Sequence, residues 1–127
     1  MDEKRPQSGS RQRIDKWLFF ARVSKSRSLA QERVAVDALG ALARHYQLTR
    51  DADGQYRVFR RLYGLKPADR DIANNYAFFA ALVGRDPRPA EQLSRDNLRA
   101  EPANLNYLAT AAFVLLQSGR LDEVLTL

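Results

Sequence analysis

The strongest constraint on the fold is an internal repeat of 35 residues. Pro67 and Pro102 are separated by this interval, and so are Gly84 and Gly119. Each unit contains a proline, a short polar turn, a stretch with helical apolar spacing, a Gly-Arg pair and a second helical stretch. Proline cannot continue a helix and glycine relieves a helix end, so these residues mark the points where helices stop.

A further unit can be placed upstream, with a predicted helix at 34–48, a turn at 49–54 and a helix at 55–65. A single helix pair cannot bury its apolar face, whereas stacked neighbours share one continuous core. We therefore predict an all-α fold of antiparallel helix-turn-helix repeats stacked as a short solenoid. The predicted repeats are 34–67, 68–102 and an incomplete 103–127.

The repeats also predict which residues form the core. Small residues are expected where helices pack closely, and larger residues fill the space between them. The small set is Ala77, Ala80, Ala90, Ala111 and Ala112. The large set is Tyr76, Leu82, Leu93, Leu98, Leu108, Leu115 and Leu121.

Residues 34–127 resemble the tetratricopeptide repeat (TPR) family in their helix-turn-helix unit, closing proline, glycine between helices and small-residue positions. The resemblance implies a TPR-like scaffold or adaptor that binds a protein or peptide partner. In the family, the first helix of each unit lines a groove, where amides bond an extended backbone and aromatic rings anchor side chains. The predicted partner groove comprises Asn74, Asn75, Phe78, Asn106, Thr110 and Phe113. Interior packing is the alternative interpretation of the two phenylalanines.

The C-terminal end departs from the family pattern. No polar capping helix follows the last unit, which leaves an apolar edge. This edge is a candidate homodimer surface through the uncapped C-terminal helix, or evidence of truncation. It contains Leu121, Val124, Leu125 and Leu127.

The N-terminal quarter of the chain has a different character. Residues 1–33 hold nine Lys and Arg against four Asp and Glu, whereas the net charge of the whole chain is +6. Residues 1–12 read as a disordered tail, because they contain charges, Pro and Gly with little apolar material to bury. A solvated basic surface and an anionic partner such as RNA both account for the charge.

Residues 11–31 resemble the opening of the S4 (alpha-L) RNA-binding domain, in particular the heat-shock-protein-15-like members. The resemblance implies a basic helical hairpin over residues 13–33 that contacts structured RNA. The implied RNA-binding residues are Arg13, Lys16, Lys25, Ser26 and Arg27. RNA binding through this segment is therefore the alternative function to the partner scaffold.

The S4 resemblance ends after Gln31. The family continues with a β-hairpin, but the apolar stripe that follows here favours a helix. The chain thus reads as two unlike pieces joined near residues 31–34, as in a natural or engineered chimera. In that case the N-terminal hairpin would pack on the repeat stack.

Several function classes are disfavoured by composition. The chain has no cysteine and a single histidine, His45, which removes thiolate chemistry and multi-histidine metal sites. No phosphate loop, carboxylate pair or serine triad can be assembled, so we predict a non-enzymatic protein without metal or cofactor. No apolar run approaches the roughly 20 residues that a membrane span needs, and no secretory signal opens the chain. A cytoplasmic protein is expected.

Overall fold

The structure, a computed structural model, describes residues 28–127. The chain divides into two compact units, Met1–Ala35 and Val36–Leu127. The described part is helical throughout, without a strand, and confirms the all-α prediction. Its helices are α1 (28–48), α2 (Ala52–Leu65), α3 (Arg70–Val83), α4 (Pro87–Ala100), α5 (Leu105–Gln117) and the short α6 (Leu121–Val124).

The first described helix differs from its predicted start. Residues 28–48 are helical without interruption, so the helix predicted at 34–48 extends further toward the N-terminus. The reason is local: no glycine or proline occurs between residues 28 and 39, and helix formers such as Gln31, Glu32 and Arg33 fill the interval. The predicted disordered tail and most of the predicted N-terminal hairpin lie outside the described residues.

Helix α2 also begins earlier than its predicted start at Gln55. Asp51 precedes the helix in extended conformation, and its Oδ1 accepts a hydrogen bond from the Gly54 N–H at 2.8 Å. This carboxylate caps the helix and lets it begin at Ala52, because it satisfies an N–H that the helix itself cannot bond. Asp51 thus has a structural role in this turn.

The 35-residue period reappears in the backbone hydrogen bonds. Asp69 caps α3 and Asn104 caps α5, each accepting bonds from two N–H groups of the first turn. Gly84 and Gly119 both adopt φ of 72°, a left-handed conformation that glycine reaches without strain. Helices α2 and α4, each of 14 residues, begin 35 residues apart. The repeat is therefore structural as well as sequential.

Each helix from α2 onward packs against the next, and α3 also packs against α5. Four of the five alanines predicted at close contacts are buried, and Ala77 and Ala80 are fully inaccessible. The fifth, Ala112, is half-buried. Two predictions of core residues are wrong: Leu82 and Leu121 are 44% and 57% exposed. Leu82 is near the C-terminal end of α3, and Leu121 begins α6, a single turn that buries none of its residues.

A carboxylate between α3 and α4 joins three elements. Asp86 Oδ2 accepts hydrogen bonds from the hydroxyls of Tyr56 on α2, at 2.6 Å, and Tyr76 on α3, at 2.7 Å. Asp86 itself has φ of 49°, which is unfavourable for a residue with a side chain. Because both tyrosines are buried, their hydroxyls depend on this acceptor. We call Asp86, Tyr56 and Tyr76 the tyrosine clamp.

Four charges attach the C-terminal turn to α4. Arg120 bonds Glu91 at 2.5 Å and Glu123 at 2.7 Å, and Arg95 bonds the same two carboxylates at 3.1 and 2.5 Å. All four side chains are about one-third exposed, so each bridge is worth little alone and the network acts together. Among residues 28–127, no helix has the length and apolar content that a membrane span requires.

The tyrosine clamp makes a prediction about stability. Asp86→Asn keeps the shape and tolerates the left-handed backbone, but it replaces a charged acceptor with a neutral one. We expect a loss of about 1–2 kcal/mol in the free energy of unfolding, and about 3 kcal/mol for Asp86→Ala, which leaves both hydroxyls unbonded. Urea unfolding measures both losses. The exposed Asp37→Asn is the control and should change little; equal effects at both positions would contradict the clamp.

The clamp also predicts a pH dependence. The hydroxyls of Tyr56 and Tyr76 hold the pKa of the Asp86 carboxyl below its ordinary value of 3.8. The carboxyl of Asp86 therefore has a lower pKa in the folded chain than in the unfolded chain, and the unfolded chain binds a proton there more tightly. As the pH falls from the unfolded-state pKa toward the folded-state pKa, the free energy of unfolding decreases. The stability difference between wild type and Asp86→Asn should be constant near neutral pH and shrink below about pH 4. A difference that persists unchanged into acid would contradict the assignment.

A second prediction tests the docking of α1 on α2. A Cβ added at Gly54 would lie 2.6 Å from Tyr46 Cγ and Cδ1, closer than atoms can approach. We expect Gly54→Ala to cost about 1–3 kcal/mol, because the tyrosine ring must move. Gly64→Ala, on the same helix with open space around it, should instead stabilise by about 0.5–1 kcal/mol. Thermal unfolding of both variants measures the contrast; two changes of the same sign would contradict this packing.

Candidate functional site

Two helix faces carry polar and aromatic residues at equivalent positions of the repeat. On each helix the positions are spaced by three, four and seven residues, so they form a single stripe. The stripe on α3 is Asp71, Asn74, Asn75 and Phe78, and the stripe on α5 is Asn106, Ala109, Thr110 and Phe113. Since α3 packs directly against α5, the two stripes lie side by side.

These stripes form a groove of about 480 Å³, which we call the amide groove. Its lining consists of Asp71, Asn74, Asn75, Phe78, Asn106, Ala109 and Thr110. Five of the six residues predicted for a partner groove are thus brought together. The sixth, Phe113, does not line the groove, but its half-buried ring packs against Phe78 with centroids 5.0 Å apart.

A second hollow of about 340 Å³ adjoins the first, and we call it the α1 hollow. It is lined by Ala43, Arg44, Gln47, Gln55, Phe59, Asn75 and Phe79. Asn75 lines both spaces, so the two adjoin at this residue of α3. Together they form one path that crosses α5, α3 and α1, the first helices of the three units.

A row of aromatic rings follows the same path. Phe113 contacts Phe78, Phe78 meets Phe79 edge-on at 5.1 Å, and Phe79 stacks on Phe59 at 5.7 Å. All four rings are half-buried, so each contributes to packing and keeps some accessible surface. Phe78 therefore packs against its neighbours and also lines the groove, whereas Phe113 packs against Phe78 without lining it.

Two amide side chains on this path have unsatisfied oxygens. Asn74 lines the amide groove and is 9% exposed, and Gln55 lines the α1 hollow and is 6% exposed. Asn74 Oδ1 and Gln55 Oε1 are buried without a hydrogen-bond partner. A buried acceptor left unpaired costs about 1–3 kcal/mol, so these two positions call for an explanation beyond packing.

Asp71 both lines the groove and braces it. Its Oδ1 accepts a hydrogen bond of 2.8 Å from the hydroxyl of Tyr107, which is 3% exposed on α5. Burial raises the pKa of Tyr107 above its ordinary range, and the carboxylates of Asp71 and Glu101 raise it further. The tyrosine therefore stays protonated and fixes the spacing of α3 and α5.

Sequence reasoning missed part of this lining. Asp71 could have been found, because it is 35 residues before the predicted Asn106. Gln55 could not, since it is on α2, the second helix of its unit, and reaches the hollow only through the way the helices pack. Arg44 and Phe79 are related by the same 35-residue interval, but the chemistry of the two side chains differs and gave no signal.

Two other sites were predicted, an RNA-binding set and a dimer edge. Arg13, Lys16, Lys25, Ser26 and Arg27, the implied RNA-binding residues, lie outside the described residues. The candidate dimer edge exposes Leu121, Leu125 and Leu127 on the surface and half-buries Val124. Within residues 28–127, no group of three or more His, Cys, Asp or Glu side chains is placed to hold a metal ion.

A third hollow of about 370 Å³ lies where α3 and α5 end. Small residues such as Ala80, Gly84 and Ala90 dominate its lining. It contains neither of the unpartnered amide oxygens, and the aromatic row does not reach it. The amide groove with the α1 hollow is therefore the better candidate site.

Comparisons with protein-family models, curated proteins and solved structures gave no match for this chain.

Proposed function

We propose that this protein is a non-enzymatic, TPR-like scaffold that binds an extended segment of a partner polypeptide across α1, α3 and α5. The observation that carries the proposal is the pair of unpartnered oxygens, Asn74 Oδ1 and Gln55 Oε1, in two adjoining hollows. An extended peptide presents backbone N–H groups at regular intervals, and a modest rotation of each amide would let it accept such a bond.

The surrounding chemistry supports a polypeptide occupant. The amide groove also offers Asn75, Asn106 and Thr110, which can donate and accept hydrogen bonds with a peptide backbone. Phe78 adds apolar surface for a ligand side chain. An RNA strand would need several cations along the path to neutralise its phosphates, and among the described lining residues the path has one, Arg44.

RNA binding by the basic N-terminal segment is the alternative function. Its support is the positive balance of residues 1–33 and the S4 resemblance of residues 11–31. The two functions use different parts of the chain, so one set of experiments separates them.

The test is selection of a displayed random peptide library on the full chain, followed by titration of the enriched peptides by fluorescence anisotropy. We expect Asn75→Ala to weaken binding by about tenfold, because this half-buried amide lines both spaces. Gln92→Ala removes an exposed amide on α4, away from the groove, and should leave affinity unchanged.

Two results would contradict the proposal. One is the absence of any peptide enriched over a blank support, and the other is equal binding by the Asn75→Ala and wild-type chains. A structured RNA titrated in parallel gives the alternative its own readout: RNA binding without peptide binding would assign the function to the N-terminal segment.

A further inference from the structure

The two spaces of the binding path carry charges of opposite sign. Among the described residues, Asp71 is the one charged residue that lines the amide groove, and Arg44 is the one that lines the α1 hollow. The other described lining residues of both spaces are uncharged amides, aromatic rings, alanines and one threonine. A ligand that crosses both spaces would therefore meet a carboxylate in the amide groove and a guanidinium in the α1 hollow.

A second carboxylate, Glu101, also acts on the tyrosine that bonds Asp71. Both carboxylates raise the pKa of the Tyr107 hydroxyl, so two acidic groups lie near this tyrosine. Of the two, Asp71 lines the amide groove and supplies its negative charge.

The guanidinium of Arg44 is accessible. Arg44 is exposed on α1, and none of the salt bridges or side-chain hydrogen bonds of the described residues involves it. Its guanidinium can therefore pair with a ligand without giving up an internal partner. Asp71 keeps one oxygen on Tyr107 and has a second with which to meet a cation.

We propose that the groove selects peptides with opposite charges at their two ends, a basic side chain beside Asp71 and an acidic one beside Arg44. This inference rests on the proposed function and adds the chemistry of the partner to it. Between the charges, the occupant is an uncharged extended stretch whose backbone bonds the amides and whose central side chain is apolar. The positions of Asp71 and Arg44 fix where the basic and the acidic side chain of the peptide lie. The direction of the peptide chain then follows from whether the peptide with Lys first or the peptide with Glu first binds.

The experiment uses synthetic peptides built on one uncharged core from the enriched library, titrated with the full chain at low salt. Four versions carry Lys and Glu at the ends in the two opposite orders, Lys at both ends, or Glu at both ends. We expect one mixed order to bind about threefold more tightly than either like-charged peptide, since each end contributes a partly exposed ion pair. The advantage should disappear at high salt, where such pairs are screened.

Two variants assign the ends. Arg44→Glu should reverse the preference at its end, so that the peptide with Lys at both ends becomes the tightest ligand. Asp71→Asn retains an oxygen that can accept from Tyr107 and should remove the preference for a cation at the other end. Arg61→Glu, an equal charge change on the exposed surface of α2 outside both hollows, is the matched control and should leave the ranking unchanged.

The outcomes separate this inference from the proposed function. If the peptides bind in an Asn75-dependent way but all four charge patterns have equal affinity, the charge order is wrong and the scaffold function stands. A ranking that Arg61→Glu changes as much as Arg44→Glu would also overturn the charge order, because it would show a long-range field. If no peptide binds in an Asn75-dependent way, the proposed function fails first.

Discussion

The packing of the repeat depends on one carboxylate that satisfies two buried tyrosines. Asp86 accepts hydrogen bonds from Tyr56 on α2 and Tyr76 on α3. It is also the N-cap residue of α4, so its position links three successive helices. Its left-handed backbone is unfavourable by itself, and two charge-assisted hydrogen bonds offset that cost. Both tyrosines also belong to the main apolar cluster, together with Ala77 and Ala80. The alanines allow the close approach of the helices, and the carboxylate fixes the orientation in which they meet.

This orientation determines what α3 and α5 present on their other face. Because the two helices are related by the 35-residue period, matching positions fall side by side, and a single stripe becomes a groove shared by two units. Asp71 has a structural part through Tyr107 and a chemical part as the charge that lines the groove. Helix α3 therefore packs against α2, α4 and α5 and also lines the groove proposed for binding. Asn74 and Gln55 each have a buried oxygen without a hydrogen-bond partner, which lowers the stability of the free chain. Such unpaired polar groups are common at functional sites.

The sequence predicted the parts of the fold that repeat and missed those that depend on contacts between units. Prolines, glycines and polar caps recur at fixed intervals, so helix ends such as Leu65 and the positive φ of Gly84 follow from local chemistry. The amide stripe was predictable for the same reason. The Asp86 clamp was not, because a carboxylate in a turn ordinarily reads as a cap, and its tyrosine partners are 10 and 30 residues away. Gln55 was missed likewise, since a second helix reaches the groove only after the units stack.

The central claim is that an extended peptide occupies the path across α5, α3 and α1. The most direct measurement is a nitrogen–proton NMR titration of the full chain with an enriched peptide, following the backbone amide signals and the side-chain amide signals of asparagine and glutamine. We predict that the signals of Asn74, Asn75 and Gln55 shift together and saturate at one peptide per chain, while that of Gln92 on α4 stays in place. Shifts confined to the exposed edge at Leu121 and Leu125, or spread over the exposed arginines of α2 with the groove amides unmoved, would contradict the account.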